Sequence, residues 1–95
     1  MNANTSTQTV SGALTLETVP ALYRNSAGWF AGKGELILDL AQVERADSAG
    51  LALLIEWLRR AKAAKCTLRF TNIPTPVQTL IRINGLQDAL PNHNE

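Results

Sequence analysis

Three stretches that read as strands are each followed, within a few residues, by a stretch with helical spacing, and that alternation constrains the fold most. Val10 to Leu16 alternates weakly and reads as a strand, with Gly12 as a bend or bulge. Val19, Leu22, Tyr23 and Ser26 then fall at helical spacing; Pro20 is tolerated in a first turn, and Gly28 is a natural stop. Glu35 to Leu40 carries its apolar residues together, as in a strand covered on both faces. A polar connection, Gln42 to Asp47, leads into a helix whose Leu51, Leu54, Ile55 and Leu58 form one stripe. Glu56, Arg59, Arg60 and Ala63 lie opposite. Cys66 to Thr71 reads as a third strand, with Leu68 and Phe70 on one face. Pro74 and Pro76 mark a turn and a helix start, Val77, Leu80 and Ile81 follow at helical spacing, and Gly85 stops them. Leu86 to Leu90 fits either an edge strand or a turn.

Parallel strands need crossover connections, usually helices, so this order predicts an α/β fold. We expect a single domain with a small mixed, mainly parallel sheet and helices packed mainly on one face. With 95 residues there is room for one domain and not two. The expected division is a weakly ordered arm over 1–9, the domain over 10–91 and a tail over 92–95.

Composition narrows the chemistry. Nine basic and eight acidic residues leave a net charge of +1, so no global field draws the chain to nucleic acid or an anionic membrane. Cys66 is the single cysteine, which excludes an intramolecular disulfide and a cysteine zinc site. His93 is the single histidine and is expected in solvent, leaving no second histidine for a triad or metal cluster. There is no Gly-rich phosphate loop, catalytic carboxylate pair or Walker lysine. No catalytic residue, metal or cofactor is therefore expected. Met1 to Thr9 lacks the basic start and apolar core of a signal peptide, and the run Leu51 to Ile55 is far too short to cross a bilayer. A soluble, intracellular protein without direct membrane insertion is the expectation.

The informative stretch is Leu40-Ala-Gln-Val-Glu-Arg-Ala-Asp-Ser-Ala-Gly-Leu-Ala-Leu-Leu54. It reads as a strand end, a tight loop and a serine opening a helix. Ser48 is the natural N-cap, and Asp47 puts a negative charge by the positive helix end. Converging N–H groups make such a position suitable for an anion. Phosphate on Ser48 would add about −1.5 to −2 charges, suiting the helix dipole but opposing Asp47. Gly50 would let another surface approach closely. From local chemistry alone, Asp-Ser before an apolar helix is most often a plain cap.

The run Asp39-Leu40, Val43, Asp47-Ser48-Ala49-Gly50-Leu51, then Leu53-Leu54, resembles the signature of STAS domains, the fold of anti-sigma factor antagonists and of the cytoplasmic tails of sulfate transporters. Ser11-Gly12-Ala13-Leu14-Thr15, Asp47 to Leu54, and Val77 and Leu80 with Leu86 to Pro91 resemble the MlaB subgroup, over about Ser11 to Pro91. That subgroup serves Mla-type ABC transporters of phospholipids, which maintain outer-membrane lipid asymmetry. The resemblance implies a cytoplasmic, non-catalytic subunit held at the inner membrane by its partner complex. Its implied partner is an MlaF-like ATPase subunit, within a complex with a permease and a substrate-binding subunit. The implied partner-binding residues are Asp47, Ser48, Ala49, Gly50, Leu51, Leu53 and Trp57. The alternative within the fold is an anti-sigma factor antagonist regulated by phosphorylation of Ser48. A ligand sensor with a pocket at the strand ends is a further rival. STAS domains usually place two strands before the first helix; here the first is short, missing or supplied by a partner. Ser48→Glu or Leu51→Arg is expected to weaken docking without unfolding.

Other residues carry paired readings. Leu53 and Trp57 flank the main stripe, and either pack under a neighbouring helix or stay exposed to grip a partner. Arg59, Arg60, Lys62, Lys65, Arg69 and Arg82 lie between Trp57 and Gln87 without an acidic residue. Arg59, Arg60, Lys62 and Lys65 cluster on the second half of the helix, as a solvated face suited to its C-terminal dipole or a contact for an acidic partner or anionic lipid heads. Cys66 is expected as an inert core residue, and Trp29-Phe30 as a cover for the end of the core.

Overall fold

The computed structural model describes residues 5–32, 34–88 and 90. The strands are β1 (Thr5–Leu14), β2 (Glu35–Ala46) and β3 (Thr67–Thr71); the helices are α1 (Val19–Asn25), α2 (Ser48–Ala63) and α3 (Thr75–Ile83), and strands and helices alternate. The sheet order is β1-β2-β3, and both pairings are parallel. The α/β class is as expected, but among the described residues the sheet is purely parallel rather than mixed.

β1 starts at Thr5, so Thr5 to Thr9 do not belong to a loose arm. They are polar, but Thr5 to Thr9 align one to one with Glu35 to Asp39, and that ladder orders them without an apolar pattern. Met1 to Asn4, the tail over 92–95, Pro91 and His93 lie outside the described residues. One strand, not two, precedes α1 in the described chain. The register slips between Thr9 and Ser11 and again between Gly12 and Ala13, where Gly12 has φ +84°. Gly12 is thus the bulge its position predicts.

β2 runs past Leu40. Gln42, Val43, Arg45 and Ala46 pair with β1, so the expected polar connection is strand, and only Asp47 separates it from α2. Leu36, Leu38 and Leu40 are buried, whereas Glu35, Ile37 and Asp39 are half-buried. The strand is therefore covered fully on one face, not both. On the open face Arg69 Nε of β3 meets Glu35 Oε2 at 2.6 Å.

The covered face carries Val10, Leu14, Leu36, Leu38, Leu40, Val43, Leu68 and Phe70. Against it α2 lays Leu51, Leu53, Leu54, Trp57 and Ala61, and α3 lays Val77 and Ile81. Leu58 is partly buried, but Ile55 is exposed at 39%, so the buried arc of α2 is rotated away from the predicted stripe. α2 lies between α1 and α3, and the arc turns to meet the sheet and both neighbours. α1 ends at Asn25 rather than at Gly28, because Ser26 is drawn inside and the chain turns there. Phe30 is buried and Trp29 packs at 5.4 Å from Trp57, covering the end of the core as expected. Gly85, at φ +68°, follows the end of α3 and supplies the predicted stop. Gln87 and Asp88 form a turn after Leu86, with Leu90 N–H donating to Leu86 O at 3.2 Å and the Leu90 side chain buried. Cys66 is buried one residue before β3.

Candidate functional site

The C-terminal ends of β1 and β2 and the first turn of α2 meet at Asp47. Its backbone N–H donates to Leu14 O at 3.0 Å, extending the β1–β2 ladder to the helix start. Its backbone is extended, and Oδ1 accepts from Ala49 N at 2.9 Å and from Gly50 N at 3.3 Å. The N-cap is therefore Asp47 and not Ser48; the residue in β conformation can turn its side chain back onto the first helical N–H groups. Oδ2 accepts from Leu16 N at 3.1 Å, which ties the β1–α1 turn to the head of α2. The Leu16 N–H, followed by those of Gly50 and Ala49, holds the Asp47 carboxyl below the usual aspartate value against a smaller opposing effect of desolvation.

The same bonds revise the anion expectation. The Ala49 and Gly50 N–H groups at the helix head already point at the Asp47 carboxylate. A phosphate on Ser48 would meet that fixed negative charge rather than open donors.

Of the seven predicted partner-binding residues, Ser48 is exposed and its hydroxyl makes no hydrogen bond with the described residues. Asp47 and Ala49 are half-buried. Gly50, Leu51, Leu53 and Trp57 are buried, so they cannot form the contact surface. The close approach that Gly50 permits is internal: a Cβ there would lie 2.8 Å from Leu14 Cβ and closer still to Leu14 O. Leu51→Arg would consequently disrupt the core, contrary to the expectation that it spares the fold. Trp57 is sealed under Trp29, and its indole N–H donates to Ser26 Oγ at 2.8 Å.

The pattern missed Leu16. It reads as the last strand residue, yet it sits in the turn after β1 at 73% exposure, its N–H bonded to the carboxylate of Asp47, the residue before Ser48. Its one signal is an isolated leucine between Thr15 and Glu17, past the point where β1 can pair. Ala52 and Ile55, also exposed, continue the face from Ser48 along α2. Leu16 and Ser48 are thus exposed on the two segments that Asp47 ties together, and Ala52 and Ile55 are exposed further along α2.

The basic residues of α2 point elsewhere. Arg60 donates to Tyr23 O at 2.9 Å and to Ser26 Oγ at 3.3 Å, and its guanidinium covers the Tyr23 ring at 3.9 Å. It fastens α1 to α2. Arg59 pairs with Glu56 at 3.0 Å. An open depression of about 380 Å³ lies by Ala27, Phe30, Ala31, Arg60, Ala63 and Ala64. It sits at the far end of α2 from Ser48. No described helix is long and apolar enough to cross a membrane.

A family model described as the MlaB STAS domain matches residues 1–91. No curated protein matches. Among solved structures, one reported as an anti-sigma factor antagonist of Thermotoga maritima superposes with a TM-score of 0.82 at 15% identity, over 100% of this chain and 82% of that one. The anti-sigma factor antagonist SpoIIAA in its unphosphorylated form superposes with a TM-score of 0.73 at 16% identity, over 100% of this chain and 85% of that one. At these identities the likeness is one of fold.

Proposed function

The chain belongs to the MlaB STAS domain family, and from that premise we propose that it is a non-catalytic subunit docking on the ATPase of an Mla-type phospholipid ABC transporter. The observation that carries this reading is the pairing of an exposed Ser48 with an exposed Leu16 on one rigid clasp, since Asp47 holds both turns. An apolar side chain beside a small hydroxyl, on backbone already hydrogen-bonded, can bind a protein surface without first ordering a loop. Docking would stabilise whichever conformation of the ATPase the clasp binds more tightly. The complex, with its permease and substrate-binding subunit, would hold this subunit at the cytoplasmic side of the inner membrane. Co-expression with the tagged ATPase tests the reading: wild type should co-purify, and Leu16→Arg and Ser48→Glu should not. Retention of Ser48→Glu at wild-type yield would misplace the interface.

A second reading has its own observation. Ser48 is accessible, and the two structures of like fold are reported as anti-sigma factor antagonists. In that case phosphate on Ser48 would act by repulsion from Asp47 and by obstructing Leu16. Incubation with candidate kinases followed by intact-mass measurement separates the two: a single phosphate on Ser48 favours the antagonist reading.

A further inference from the structure

The outer edge of β1 has no strand beside it among the described residues, because the sheet order begins with β1. Such an edge is a row of N–H and C=O groups ready to pair, and natural sheets guard it with lysine, proline or very short strands. β1 has none of these: Thr5–Leu14 reads TSTQTVSGAL, ten residues without a charge or a proline. Its guards are the register slips, and they start only after Thr9. Thr5 to Thr9 is therefore a regular, uncharged, five-residue edge.

We propose that this segment pairs antiparallel with the same segment of a second copy of the chain, about a two-fold axis at Thr7. The charge pattern selects the occupant. A strand opposed to itself suffers repulsion wherever it carries charge, and this one carries none. The two-fold register sets Thr5 opposite Thr9 of the second copy, Thr7 opposite Thr7, and Ser6 opposite Gln8. Thr5, Thr7 and Thr9 share one sheet face by strand alternation, and cross-strand threonine pairs are favourable. The contact is isologous, so it closes at two copies. It joins two three-stranded sheets into one of six strands. Leu14 lies about 23 Å further along β1 than Thr7, so the pairing leaves the Ser48 face open.

Five paired residues bury less than the roughly 1,000 Å² of a stable interface, so the dimer is weak and forms toward about 1 mM chain. Sedimentation equilibrium should show the mass doubling with concentration for wild type. Thr7→Lys, which puts two like charges at the axis from an exposed position, should remain monomeric with an unchanged melting temperature. In a Cys66→Ala background, Thr7→Cys should form an intermolecular disulfide on mild oxidation, because opposed Cα atoms lie about 4.5–5.5 Å apart. Thr67→Cys, at the opposite edge of the sheet, should not. A chain that stays monomeric at every concentration overturns the proposal, as does a dimer that Thr7→Lys leaves intact.

Discussion

Asp47 Oδ2 accepts the backbone N–H of Leu16 at 3.1 Å, 31 residues earlier in the chain. With Oδ1 on Ala49 and Gly50, a single carboxylate serves as the cap of α2 and as the latch of the β1–α1 turn. The β1–α1 turn and the head of α2 are therefore held together by one side chain.

The latch makes stability depend on pH in one direction. Because the native Asp47 carboxyl titrates below its ordinary value of 3.8, its contribution is complete above that value. It fades as the pH falls toward the lower native value. Asp47→Asn should be less stable than wild type at neutral pH, and the gap should close on acidification below about 3.8. Urea unfolding at a series of pH values reads this; a gap that widens with acid would contradict the assignment.

Gly50→Ala tests the packing of α2 on β1. The new methyl would press on the Leu14 backbone, which is fixed in the ladder and cannot yield as a side chain could. We expect a loss of about 3 kcal/mol or slightly less, the upper part of the range for overpacked cores, seen as a lower urea midpoint.

The Trp57–Ser26 hydrogen bond should couple the loop after α1 to α2. Ser26→Ala leaves the buried indole N–H unsatisfied and should cost about 1–3 kcal/mol. In the double variant with Trp57→Phe the two losses should not add, with a coupling of about 0.5–3 kcal/mol. Strict additivity would mean that the bond is not formed in solution.

Leu16→Arg and Leu51→Arg separate surface from core. Leu16 is 73% exposed and Leu51 is 6% exposed. The first should leave stability within about 0.5 kcal/mol while abolishing capture of the ATPase. The second should prevent folding, since a buried charge without a partner cannot be accommodated. Thermal melts beside the pull-down distinguish the two kinds of loss.

The reading from pattern succeeded where local rules suffice. The alternation of strands and helices, the bulge at Gly12, the stop at Gly85 and the helix start at Ser48 each depend on a few neighbouring residues. Thr5 to Thr9 escaped it because a polar edge strand is ordered by the hydrogen bonds of another strand, which no period of its own records. Ile55 was misplaced for a related cause: which arc of α2 is buried depends on α1, α3 and the sheet pressing from three sides.

The class of fold and the start of α2 at Ser48 can be read from short stretches of residues, because backbone geometry, helix capping and the family motif are encoded within a short span. Which residues around that helix start are exposed follows from packing between distant elements. Gly50, Leu51, Leu53 and Trp57 face inward and Leu16 is brought alongside from the far end of another element, since exposure is a property of everything packed around a residue.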